Sequence, residues 1–98
     1  MFHKVVQVYP TDDYKVYIYF VDGKIKQFDA KDLVEKGIFK QLRDKKMFKE
    51  ACTVINDTLA WDLSGKRDPY ECLDLDPEEL YENCPEVKEP NINRALLN

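Results

Sequence analysis

Ninety-eight residues, 44% hydrophobic and 12% aromatic, describe one ordered domain with a modest core rather than a disordered chain. A net charge of −4 makes nucleic acid a poor default partner, because phosphate binding rewards positive charge. No apolar run approaches the roughly 18 residues of a membrane-crossing helix, and no signal-peptide core follows Met1, so a cytoplasmic location without membrane contact is expected.

Phe2 to Tyr9 reads as a first strand, with β-branched Val5, Val6 and Val8, and Pro10 ends it. Thr11-Asp12-Asp13 turns the chain into Tyr14 to Phe28, the stretch around which the rest is organised. There Tyr14, Val16, Ile18 and Phe20 alternate with Lys15, Tyr17, Tyr19 and Val21, the period of a strand. Asp22-Gly23 supplies two residues that tolerate positive φ, as a two-residue hairpin turn requires. That turn sets Phe20 opposite Ile25 and Tyr17 opposite Phe28. Phe28 then falls on the wrong face for a core shared with Ile18 and Phe20. Either both faces are partly covered, or a bulge shifts the register.

Asp29 is placed as the N-cap of a short helix from Ala30 to Lys36, with Gly37 in the left-handed position after it and Ile38 folding back on Leu33. Phe39 and Leu42 form one apolar edge of the next turns. Asp44 caps a further brief turn expected to carry Met47 and Phe48 inward. A second hairpin follows, Cys52 to Ile55 and Thr58 to Trp61, about Asn56-Asp57. Its register is self-consistent: Cys52 faces Trp61 and Val54 faces Leu59, so all four point inward. Ser64 to Tyr70 is a loop. Asp76 then caps a helix with Pro77 at its first position and Glu79 placed for a capping box, and Pro85 ends it. The expected fold is α+β: a small single domain over residues 1–84, built from antiparallel strands (two hairpins plus the N-terminal strand) with short helices. Residues 85–98 are expected to form a poorly ordered C-terminal tail.

Few residues in this pattern suit chemistry. Cys52, Cys72 and Cys84 are odd in number and widely spaced, which fits neither a disulfide framework nor a close-paired zinc site. They are expected as reduced, buried or half-buried thiols. His3 is the single histidine, expected as a surface side chain near the terminus. Ser64-Gly65-Lys66 lacks the spacing of a phosphate-binding loop. Residues 71–89 hold eight acids against Lys88 alone, a capped and solvated stretch with no turn glycine to shape a cation site. Lys40, Arg43, Lys45, Lys46 and Lys49 form a basic cluster, expected as a solvated face. No catalytic set, cofactor or metal is expected. Tyr17 and Tyr19 remain as the candidate partner-binding residues. With Val16, Ile18 and Phe20 in the core, they line the other sheet face near Lys15, Lys24 and Lys26, where aromatics can anchor a protein or stack bases.

Together these landmarks resemble the bacterial family catalogued as domain of unknown function 2442. The matching pieces are Val5 to Tyr9, Tyr14-Lys15-Val16, Phe20-Val21-Asp22-Gly23 and Phe28-Asp29, then Gly37-Ile38-Phe39 with Leu42, Phe48, Leu59-Ala60-Trp61, Asp74-Leu75-Asp76-Pro77 and Leu80-Tyr81. The segment Asp62 to Leu73 is longer than the brief link of many relatives. The resemblance implies a compact α+β domain and no established activity. It also implies a partner: such relatives are often encoded beside a second small protein in pairs that look like toxin–antitoxin modules. Some carry an added helix-turn-helix, for which this sequence leaves no room.

The expected function is therefore a non-enzymatic protein-interaction module, the antitoxin-like or accessory partner of a small cognate protein, with a homodimer as another association. The alternatives are a small-ligand binder or enzyme using the aromatic sheet face or the Ser64–Tyr70 loop, and a weak nucleic-acid binder using Lys40 to Lys49.

Overall fold

The structure is a computed structural model and describes residues 3–63 and 72–88, with Ile38 and Cys72 described in backbone only. Two antiparallel sheets and two short helices make up the domain, the α+β class expected. The larger sheet takes β1 (Val5–Pro10), β2 (Lys15–Phe20), β3 (Ile25–Asp29) and a late strand, β7 (Glu86–Val87), in the order β1-β2-β3-β7. The smaller is β4 (Cys52–Ile55), β5 (Thr58–Asp62) and β6 (Cys72–Asp74) in that order.

The first hairpin corrects the expected register by one residue. Phe20 N donates to Lys24 O at 2.9 Å and Gly23 N to Phe20 O at 3.0 Å, so the loop is Val21-Asp22-Gly23 rather than Asp22-Gly23. Gly23 sits at φ +91, the left-handed position that closes a three-residue loop by a bulge. Val21, at 62% exposure, is a loop residue and not the last of the strand. The shift removes the difficulty in the sequence: Phe28 now pairs with Val16 and Tyr17 with Gln27, so Phe28 packs with the core. A second irregularity lies in β1. Val5 pairs with Phe20 and Gln7 with Tyr19, leaving Val6 in a bulge at 57% exposure. Without it Val5 and Val8, three apart, would fall on opposite faces; with it both reach the core.

Asp29 accepts from Lys31 N at 3.0 Å, but it is not the N-cap: Asp32 precedes the helical turn and makes no side-chain cap bond. The expected helix over Ala30–Lys36 is only a 3-10 turn at Leu33–Glu35. So brief a run supplies few hydrogen bonds against the cost of nucleating an α-helix. Gly37 takes positive φ, +42, as expected, and a 3-10 helix runs over Gly37–Arg43 with Leu42 buried and Phe39 beside it. The side chain of Ile38 lies outside the described residues.

Asp44 caps α1 (Lys45–Ala51), accepting from Lys46 N at 2.9 Å. Phe48 and Ala51, one turn apart, are buried, whereas Met47 stands 36% exposed. The expectation for Met47 fails because a helix one residue further round faces water.

The second hairpin is as expected. Asn56 and Asp57 take φ 53 and 63, the two positive values of a tight primed turn. Cys52 pairs with Trp61 and Val54 with Leu59. Every residue of β5 is buried, because it is the central strand of its sheet. Thr58 Oγ1 donates to Leu75 O at 2.5 Å, and Trp61 Nε1 to Phe48 O at 3.1 Å, so burial of these polar atoms is compensated.

The whole of the expected Ser64 to Tyr70 loop, with Glu71, lies outside the described residues; β6 beyond it is not among the expected strands. Asp76 caps α2 (Pro77–Asn83) by accepting from Glu78 N at 3.0 Å, with Pro77 in the first turn. The chain is still in the sheet after residue 84. Gln27 N donates to Pro85 O at 3.0 Å, and Ile25 pairs with Val87. The remainder of the expected tail, residues 89–98, lies outside the described residues.

Candidate functional site

Among the described residues, the larger sheet packs the core against one of its two faces. Val5, Val16, Ile18 and Phe20 point inward, where they join Val34, Leu42, Phe48 and Ala51, the smaller sheet's Leu59 and Trp61, and Leu80 of α2 in a single core. Both helices and the second sheet therefore bury their side chains on this one side. Tyr17 and Tyr19 alternate with the inward set and face away. Register builds their neighbourhood. Tyr9 pairs with Tyr17 and Gln7 with Tyr19 on one side; Gln27 pairs with Tyr17 and Ile25 with Tyr19 on the other. None of these seven side chains, Val87 included, belongs to the core or packs against it. All are half-buried, and the Tyr19 hydroxyl oxygen is fully buried.

Of the basic neighbours expected there, Lys15 shares the face and approaches Asp13 at 3.8 Å. Lys24 and Lys26 do not. The one-residue shift pairs Lys26 with Ile18 on the inner side, and both ammonium groups lie over the ring of Tyr81, at 5.6 and 4.9 Å. The outer face is thus aromatic and amide-lined rather than basic.

Tyr81 centres a second cluster that sequence reasoning missed. His3 stacks on its ring, centroids 3.6 Å apart, and Phe20 meets it edge-on at 5.0 Å. Tyr81 hydroxyl donates to Asp22 Oδ2 at 2.6 Å. His3 backbone N donates to Glu78 Oε2 and its Nδ1 lies on Glu78 Oε1, both at 2.6 Å. These bonds hold the Glu78 carboxyl below its ordinary range, the His3 backbone N–H first among them. The Tyr81 hydroxyl does the same to Asp22, and that bond raises the phenol in turn. His3, expected as a surface side chain, is half-buried and pinned on a ring face and at one nitrogen. The arrangement clamps the chain's start and the first hairpin loop onto α2. Its hydrogen bonds join residues 59 to 75 apart, so no local pattern announces it.

Other candidates are weaker. A cleft of about 250 Å³ lies between β3 and α2, lined by Phe28, Leu33, Leu75 and Leu80 with Cys84 at one side. That is below the ~300–1,000 Å³ usual for ligand pockets, and burial pushes the Cys84 thiol up, away from the reactive thiolate. Burial likewise pushes Cys52 up to about 12. In the basic cluster Lys49 pairs with Asp12 at 2.7 Å and Arg43 with Glu35 at 3.5 Å, which offsets part of its charge. Among the described residues no three potential metal ligands converge, and no helix is long and apolar enough to cross a membrane.

A family model described as "Protein of unknown function (DUF2442)" matches residues 5–86. The chain belongs to that family. No curated protein and no solved structure matches it.

Proposed function

We propose that this member of the DUF2442 family is a non-enzymatic protein-interaction module, the antitoxin-like or accessory partner of a small cognate bacterial protein in the cytoplasm, contacted through Tyr17 and Tyr19. One observation carries the reading. The larger sheet sends every core residue to one side and leaves Tyr9, Tyr17, Tyr19 and Ile25 together on the other. Tyrosine is suited to such a surface: a large, nearly rigid ring contributes contact area at small entropic cost, and its hydroxyl keeps the patch tolerant of water. Their half-burial also leaves the rings less freedom to lose on binding.

The chemistry of the described residues favours binding over catalysis. The imidazole and its carboxylate are engaged in a structural clamp, and the Cys52 and Cys84 thiols are held protonated by burial. Mechanism is then surface occlusion, with the module covering a functional surface of its partner. Purification of the chain from its native cell at physiological salt is expected to recover a small protein in stoichiometric amount. Repeated recovery of the chain alone would contradict the reading.

A further inference from the structure

We propose that the open edge of β3 at Gln27–Asp29, with the cleft beside it, takes an extended peptide segment of a partner protein, one carrying an apolar side chain with a lysine or arginine next but one. This site is separate from the tyrosine face and stands whether or not that face binds. Backbone groups along a strand point alternately to its two sides. Just before β3 Lys24 O accepts from Phe20 N, and just after it Ala30 N donates to Tyr14 O, both toward β2. Ile25, Gln27 and Asp29 therefore offer their N–H and C=O groups to the opposite side. Val87 pairs with Ile25, and Gln27 N donates to Pro85 O. There the lane ends. Proline has no N–H to return to Gln27 O, and the next position, opposite Asp29, is Asn83, already the last residue of α2. Among the described residues, Gln27 C=O and both backbone groups of Asp29 are left without a partner on that side. Such a row is a template for one more strand.

Two hollows flank this edge and meet at Phe28, Asn83 and Cys84: the cleft of about 250 Å³ between β3 and α2, and one of about 440 Å³ along Gln27, Asp29 and Pro85. The first has an apolar floor of Phe28, Leu33, Leu75 and Leu80. It is small for a whole ligand but suited to one side chain hung from a backbone that the edge holds. In an added strand every second side chain, about 7 Å apart, points to the same face. Those on the face of Phe28 point toward the cleft.

Charge selects the neighbour of that apolar residue. Asp76 and Glu79, both exposed, line the cleft, and exposed Asp29 lines the hollow next to it, against Lys15 alone. Lys15 approaches Asp13 at 3.8 Å, and among the described residues none of the three acids is in an ion pair. A lysine or arginine of the incoming segment meets uncompensated negative charge there, whereas an acidic segment is repelled.

The test uses the full chain and a short, capped, dye-labelled peptide, threonine throughout save one leucine and, two residues on, one lysine. Affinity is read by fluorescence anisotropy at low ionic strength, and the contact is mapped by NMR on the amide signals of the protein. The peptide is expected to bind saturably, to move the Asp29 amide signal and those of α2, and to slow hydrogen exchange at Asp29 several-fold. Methylating the peptide's backbone nitrogens should abolish binding, and replacing its lysine by glutamate should weaken it several-fold. In Glu79→Lys that preference should shrink or reverse; if this variant does not fold, Glu79→Gln carries the same comparison. No saturation up to about 1 mM peptide, signals that move only on the tyrosine face, or equal affinity for the lysine and glutamate peptides would each overturn the proposal. So would an Asp29 amide already protected from exchange without peptide. Protection unchanged by dilution would make the occupant the chain's own, and protection that fades would make it a second copy.

Discussion

At the scale of single residues, Trp61 shows how burial and a polar tip are reconciled. It has 0% exposure, its ring lies 5.4 Å from that of Phe48, and its indole N–H is spent on Phe48 O. Trp61→Ala is expected to cost about 3–5 kcal/mol, a large share of the ~5–15 kcal/mol typical of a domain. Urea denaturation measures the loss. As Trp61 is the only tryptophan, its emission reports the same site: it should be blue-shifted and resist acrylamide, and red, freely quenched emission would contradict the core assignment. The cysteines follow the same logic from the other side. Burial raises both Cys52 and Cys84, so neither should react with an aromatic disulfide reagent at pH 8 until urea is added. Prompt native labelling at either, mapped by mass spectrometry, would show that the thiol is open.

Elements were legible in the sequence wherever a local rule decided them. The Asn56-Asp57 hairpin was, because both turn residues take positive φ and the register then follows by counting. The α2 start was, because an Asp-Pro pair both caps and pre-shapes a helix. Asp76→Ala should therefore cost about 1 kcal/mol; an unmoved denaturation midpoint would mean the cap contributes nothing. The first hairpin was legible only in outline. Val21 continues the alternation of β2, and nothing local says it belongs to the loop; the bulge is decided by the need to bring Phe28 to the core. The three residues of β6 and two of β7 are too short to show a period, and pairing with neighbours distant in the chain defines them. As for the candidate site, the tyrosines' sidedness could be read from alternation. The loss of Lys24 and Lys26 from their face could not, since it depends on the shifted register. The Tyr81 cluster was hidden for the same reason of distance.

For the whole molecule, several carboxylates act as ties between distant parts: Glu78 to His3, Asp22 to Tyr81 and Asp12 to Lys49. Each is held below its ordinary value of 4.5 for glutamate or 3.8 for aspartate, first by the hydrogen bond it accepts. A carboxyl lowered on folding stabilises the fold above its unfolded value, and that contribution is lost as pH falls through the folded value. The melting temperature is therefore expected to hold at neutral pH and fall below about pH 4.5, less steeply in Glu78→Gln; a profile flat down to pH 3 would mean these ties are inconsequential. The core and both helices belong to one side of the larger sheet, with the ties at both of its ends, which separates the folding surface from the tyrosine face proposed above for a partner. The double variant Tyr17→Ala, Tyr19→Ala tests that separation in a pull-down from the native cell alongside a thermal melt. A cooperative melt is expected to survive together with loss of the co-purifying protein; retention of that protein by a folded double variant would contradict the separation.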